Sequence, residues 1–123
     1  HRYYYGTQSS ALQVGTDAAV QFMMSIGMDR VEARIRELNQ LLFSELSKVE
    51  NVHILTPAEN TSRCGMISFT HQTDALEEYK KFRAKKWVIR YVAESNLNCI
   101  LVSTHIYNSE EQIHRLVEAV KQS

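Results

Sequence analysis

The sequence predicts an α+β domain, a small antiparallel sheet covered on one face by helices in the order α-α-β-β-α-β-β-α. Three observations predict it. Apolar residues recur every three or four positions in four separate stretches, the signature of half-buried helices. Between them lie four short runs rich in Val, Ile, Phe and Cys, bounded by turn-forming residues. These runs come two at a time instead of alternating singly with helices, which points to hairpins and away from a doubly wound parallel sheet.

Residues 1–8 hold three tyrosines and then Gly6-Thr7-Gln8, without periodicity, and read as a lead-in segment that packs against something outside the chain. From Ser9 or Ser10, either able to cap a helix, Leu12, Val14, Ala18, Ala19, Phe22, Met23 and Ile26 follow a helical period. Gly27 supplies the stop, since glycine takes positive φ freely. Asp29-Arg30-Val31-Glu32 has the spacing of a capping box and predicts the start of a second helix. Its stripe is Val31, Ile35, Leu38, Leu42, Leu46 and Val49, with Arg34, Glu37, Glu45 and Lys48 left for solvent. After a turn at Asn51, residues 52–55 predict a short strand ended by Pro57, which lacks a ladder donor. A loop over 58–63 precedes a second strand over 64–69, where Gly65 marks a bend or a close backbone approach. Thr73 or Asp74 caps a helix running through Leu76, Tyr79, Lys80 and Phe82 to about Lys86. Residues 87–92 form the most β-like run; 93–98 break it, and 99–103 complete a hairpin. Ser109-Glu110-Glu111-Gln112 is a capping box for a last helix that presents Ile113, Leu116, Val117 and Val120 on one face.

With 123 residues, 44% hydrophobic and 23% charged, the chain has the size and composition of one globular domain. Fourteen Lys and Arg balance fourteen Asp and Glu, so no net field recruits nucleic acid. Cys64 and Cys99 are too few and too far apart for a disulfide framework or a CxxC metal site. In apolar, strand-like surroundings both read as buried small hydrophobes, as expected in a reducing, cytoplasmic compartment. No apolar run approaches the roughly eighteen residues of a membrane span, so no membrane partner is expected. The first residue is not Met, and the chain is expected to be a piece of something longer.

Chemistry-bearing motifs are sparse. There is no GxSxG elbow, no Gly-rich phosphate loop and no HExxH, and the five histidines lack ligand spacing, so neither a catalytic residue nor a metal ligand is assigned. His105, between a strand and a helix, either orients a polar group or makes a local structural hydrogen bond. Arg90 sits at the end of an apolar strand, where its planar fork suits a carboxylate or phosphate; an ordinary rim ion pair is the alternative. Gly6-Thr7 before a capped helix also suits an anion, since a hydroxyl and helix amides converge there, with simple capping as the alternative.

The order and wording of several segments resemble the C-terminal small domain of class V aminotransferase-like enzymes. They are Gly6-Thr7-Gln8, Ser25-Ile26-Gly27-Met28-Asp29-Arg30-Val31, Thr56-Pro57 and, above all, Ser103-Thr104-His105-Ile106-Tyr107-Asn108-Ser109-Glu110-Glu111. That family comprises pyridoxal 5′-phosphate (PLP) enzymes of fold type I, among them cysteine desulfurases, selenocysteine lyases and isopenicillin N epimerase-like proteins. The resemblance implies that residues 1–8 lead in from a missing upstream large domain and that 9–123 are the small domain. It implies that Thr7 contacts the cofactor phosphate of the other subunit of a homodimer, with Gly6 permitting the approach. The Schiff-base lysine and the pyridine-nitrogen aspartate belong upstream, so this chain alone should be inactive.

Two departures from the family pattern bear on function. Relatives usually carry a carboxylate-binding arginine where this chain has Leu101: either Arg90, matching another family arginine, grips the carboxylate of a small amino-acid substrate, or the substrate differs, or the parent has lost amino-acid chemistry. The sulfur-mobilising members carry a cysteine in the loop matching 93–98, and none stands here. The resemblance therefore favours an epimerase-like or lyase-like parent over a desulfurase. The rival readings are a non-catalytic α+β binding or dimerisation module that keeps the fold only, and a regulatory small-molecule domain using Arg90 as its anion clamp.

Overall fold

The structure, a computed structural model, describes residues 9–123. Two compact units divide the chain, His1–Glu32 and Ala33–Ser123. In the first, helix α1 (Ser10–Ile26) is capped by Ser9, whose hydroxyl accepts from the Leu12 amide at 3.5 Å, and none of its residues is buried. Gly27 ends it with φ of 94°, a value that favours glycine, and its N–H donates to the carbonyls of Met23 and Met24. Helix α2 (Met28–Leu46) begins at the very next residue. This corrects the expected capping box: the Val31 amide already donates to the Gly27 carbonyl at 3.0 Å, so Asp29 lies inside the first turn and not at the cap position.

The second unit holds the sheet. Its strands are β1 (His53–Ile54), β2 (Met66–Thr70), β3 (Arg90–Val92) and β4 (Cys99–Ser103), all antiparallel in the spatial order β1-β2-β4-β3. Helices α3 (Ala75–Ala84) and α4 (Glu110–Lys121) complete it. Successive strand residues point to opposite faces, and one face of β2 and β4 presents Ile67, Phe69, Ile100 and Val102, all buried. Against them pack Leu38, Leu42 and Leu46 of α2, Ala75 and Phe82 of α3, and Ile113, Leu116, Val117 and Val120 of α4. The helices thus cover that face, as the α+β reading requires.

The local chemistry of these elements follows the sequence. Asp74 caps α3 by accepting from the Leu76 and Glu77 amides, and Ser109 with Gln112 closes a reciprocal capping box on α4. Gly65 precedes β2 because nothing larger fits: a Cβ there would lie 2.8 Å from Ile35 Cγ2 and 2.8 Å from the Thr104 carbonyl oxygen. The Thr104 amide donates to the Gly65 carbonyl at 2.7 Å, which locks the end of β4 to this crossing. β3 is shorter than the predicted 87–92 run. Lys86 turns the chain at φ of 64° and the Trp87 amide still donates to Phe82 of α3, so pairing with β4 starts only at Arg90. Among the described residues, no helix is long and apolar enough to cross a membrane.

Candidate functional site on the sheet face opposite the core

Strand register decides which of the predicted residues meet. Arg90 of β3 pairs with Leu101 of β4, and Leu101 pairs with Ser68 of β2, so Ser68, Leu101 and Arg90 form one row across three strands. By alternation this row lies on the face opposite the core, with Met66 and Ser103 in the row on one side and Val92 and Cys99 in the row on the other. Arg90 therefore stands beside the position where the resemblance would place a carboxylate-binding arginine.

Arg90 already has a partner. Its Nη2 donates to Glu94 Oε1, four residues on, and both side chains are well exposed. A hydrogen bond from the backbone amide of Glu94 itself, with the charge of Arg90 second, holds the Glu94 carboxyl below the usual carboxylate range. Glu94 opens a 3-10 turn (Glu94–Asn96) within the β3–β4 connection, where Ser95, Asn96 and Asn98 all adopt positive φ, at 55°, 58° and 42°. Asn98 is tied to the α3 cap through Nδ2, which donates to Asp74 Oδ2 at 3.2 Å. That bond is the main cause of a lowered Asp74 carboxyl. The loop is held in a compact, partly strained form.

The cysteines separate. Cys99 is 1% exposed, and burial pushes its thiol up, opposed in part by a hydrogen bond with Ser68; this suits an inert buried side chain. Cys64, expected to be buried in the same way, is exposed, because β2 starts two residues later and leaves it in the preceding turn. His105 belongs to the β4–α4 junction. Its amide donates to Asn108 Oδ1 at 2.8 Å, its carbonyl accepts from the Asn108 amide at 2.9 Å, and its ring stacks on Tyr107 with centroids 4.7 Å apart. These bonds make it a turn-building residue. Gly6 and Thr7 lie outside the described residues.

Glu78 and Arg63 are among the buried polar groups that sequence reasoning missed. Glu78 is fully buried on α3, where its Oε1 accepts from the Ser123 hydroxyl at 3.0 Å and lies 3.6 Å from His71 Nδ1. Burial pushes its carboxyl up, opposed by the Ser123 hydrogen bond, His71 and Lys81. The signal was present: Glu78 occupies the stripe that contains Ala75 and Phe82, at spacing i, i+3, i+7. Arg63 is 5% exposed, lies 4.1 Å over the Phe43 ring and donates through Nη2 to Gln40 Oε1. No comparable spacing marks it. A concavity of about 730 Å³ among the described residues runs between Trp87 and α4 and is lined by Lys85, Glu110, His114, Arg115 and Glu118 among others, mixed in sign and without a residue of the Arg90 row. No group of three metal-ligating side chains occurs among the described residues.

Comparison with known proteins gives a consistent picture. The family model described as aminotransferase class-V matches residues 1–116. A probable cysteine desulfurase of Staphylococcus aureus (strain N315) is 25% identical over 128 residues, covering 96% of this chain and 31% of that protein. Isopenicillin N epimerase of Amycolatopsis lactamdurans is 28% identical over 123 residues, covering 95% of this chain and 30% of that protein. Among solved structures, the apo cysteine desulfurase from Thermococcus onnurineus NA1 has a TM-score of 0.87 at 19% identity, covering 98% of this chain and 32% of that one. A cystine C-S lyase in complex with its reaction product cysteine persulfide has a TM-score of 0.85 at 22% identity, covering 98% and 31%. The chain spans about a third of the length of the relatives it matches.

Proposed function

Because the chain belongs to the class V aminotransferase family, we propose that it is the C-terminal small domain of a PLP-dependent enzyme acting on a small amino acid. Its parts in that enzyme are a contact to the cofactor phosphate and one wall of the active site. The α+β fold is that of the C-terminal domain of fold type I PLP enzymes, and a related structure carries a PLP cofactor with glycine covalently linked to it.

The sequence ahead of α1 supports that contact: Thr7 carries a hydroxyl and Gly6 has no Cβ, both shortly before the Ser9 cap, and the first turn of α1 contains no acidic residue to repel a phosphate. Thr7 and Gly6 would hold the phosphate, in a homodimer that of the second copy. When bound, PLP supplies the electron sink for chemistry at the substrate's Cα. Arg90 binds and orients the substrate carboxylate, and Leu101 and Ser68 line the row beside it. The 93–98 loop brings no cysteine to that wall, which supports an epimerase-like or lyase-like reaction over sulfur transfer.

The observation that carries this reading is the pairing of Arg90 with Leu101: it places a cation one strand from the position where the resemblance expects an arginine. The test is to purify the polypeptide with its upstream domain and record its visible absorption with and without added PLP. A retained cofactor band, lost on dialysis from an Arg90-intact but Thr7→Ala variant, is the expected result. A full-length polypeptide that binds no PLP refutes it. The second reading, a binding or dimerisation module that keeps the fold without chemistry, is favoured by two observations: Leu101 is apolar and Arg90 is already paired with Glu94. Failure to bind PLP together with a stable dimer in solution is its signature.

A further inference from the structure

We propose that Glu94 is a built-in competitor for Arg90, so that the guanidinium admits only an anion able to displace a carboxylate already in place. This rests on Arg90 being the substrate clamp argued above. Across the row Ser68, Leu101, Arg90, the arginine is the one charged member, and among the described residues Glu94 is the carboxylate that pairs with it. The ladder with β4 holds the backbone of Arg90, while the 3-10 turn, closed by the Leu97 amide donating to the Glu94 carbonyl at 3.2 Å, holds that of Glu94. The competitor is therefore always within reach.

The contact is also built to yield. With side chains 61% and 63% exposed, the pair is screened by water and weakly held, and opening it disturbs no core residue. Glu94 engages the guanidinium through a single Nη2 to Oε1 bond. A free carboxylate approaching in the guanidinium plane can make two parallel bonds, which gives it the advantage over Glu94. A small molecule with an amine and no carboxylate has nothing to gain from Arg90 and leaves the pair closed. Glu94 thus acts as a specificity-determining residue: it raises the threshold for every anion and selects for a carboxylate that can bind in bidentate fashion.

The experiment uses the polypeptide with its upstream domain and measures, by isothermal titration, the binding of L-alanine and of ethylamine. Glu94→Gln should tighten L-alanine by about 1.5- to 5-fold, the range set by the strength of an exposed ion pair, and leave ethylamine unchanged. Glu94→Asp, which keeps the charge, should behave as the parent. Arg90→Ala should weaken L-alanine and abolish the gain from Glu94→Gln in the double variant. If Arg90→Ala weakens L-alanine but Glu94→Gln brings no gain, the competitor role is overturned and the clamp stands. If Arg90→Ala has no effect, the clamp itself is overturned, and this inference with it. A gain from Glu94→Gln that survives in the double variant means general repulsion, not competition, and also overturns the proposal.

Discussion

Replacing Glu78 by Gln should stabilise the protein at neutral pH and remove part of its pH dependence. The carboxyl sits in the core stripe of α3, fully buried, with Oε1 bonded to the Ser123 hydroxyl and Oε2 without a hydrogen-bond partner. An interior polar atom left unpaired costs about 1–3 kcal/mol, and more when it is charged, and burial accordingly raises the folded-state pKa. For a group raised in this way, the stability that its protonated form contributes is complete below the unfolded value, near 4.3 on the model-peptide scale. That contribution is lost as pH climbs through the raised folded value, above which it levels off. Glutamine keeps an acceptor for Ser123 without the charge. The variant should match the parent near pH 4 and exceed it by about 1–3 kcal/mol at pH 7, or about 3–5 °C in Tm per kcal/mol for a chain of this size. Urea unfolding of both proteins at half-unit intervals from pH 4 to pH 8 measures the difference. A variant less stable than the parent at pH 7 would refute the reasoning and make the charged Glu78 a favourable partner of the groups it meets, His71 among them.

Three further outcomes are expected. Thr7→Ala in the full-length polypeptide should weaken PLP retention by about 10- to 150-fold, the equivalent of a charge-assisted bond of about 1.5–3 kcal/mol, measured by equilibrium dialysis; unaltered affinity removes Thr7 from the site. Gly65→Ala should destabilise by about 1–3 kcal/mol through its clash with Ile35 and the Thr104 carbonyl, read by chemical unfolding, and a neutral effect would show that the crossing can relax. A maleimide or iodoacetamide time course followed by peptide mass spectrometry should label Cys64 rapidly and Cys99 only on unfolding, because Cys99 is buried and its thiol raised; equal rates contradict that burial.

Most of the architecture is legible because single residues settle it. The spacing of Leu38, Leu42 and Leu46 defines the buried side of α2, and Ser109 with Gln112 announces α4. What escaped depends on conformations that several sequences share. The Asp29 to Glu32 spacing suits a cap, yet one glycine at φ of 94° turns the chain sharply enough for α2 to start without it. Trp87 to Ile89 have strand-forming side chains, but Lys86 in a left-handed conformation keeps the chain attached to the end of α3. The candidate site was half legible. Arg90 reads as a strand-end arginine, whereas its adjacency to Leu101 follows from register, which the three left-handed residues of the connecting loop set and no periodicity reveals. Glu94 gave no sign of its role, since its meaning lies wholly in the side chain it meets.

The spatial order of the strands bears on how the polypeptide emerges from the ribosome. The longest ladder joins β2 to β4, and α3 and β3 are synthesised between them. Until β4 has cleared the exit tunnel, Ile67 and Phe69 have no Ile100 and Val102 beside them, and α4, which covers them all, comes later still. Closing so distant a pair is entropically slow and leaves apolar side chains bare meanwhile. Nascent chains stalled within α3 should therefore be bound by hydrophobic-segment chaperones, and those stalled after α4 should be released.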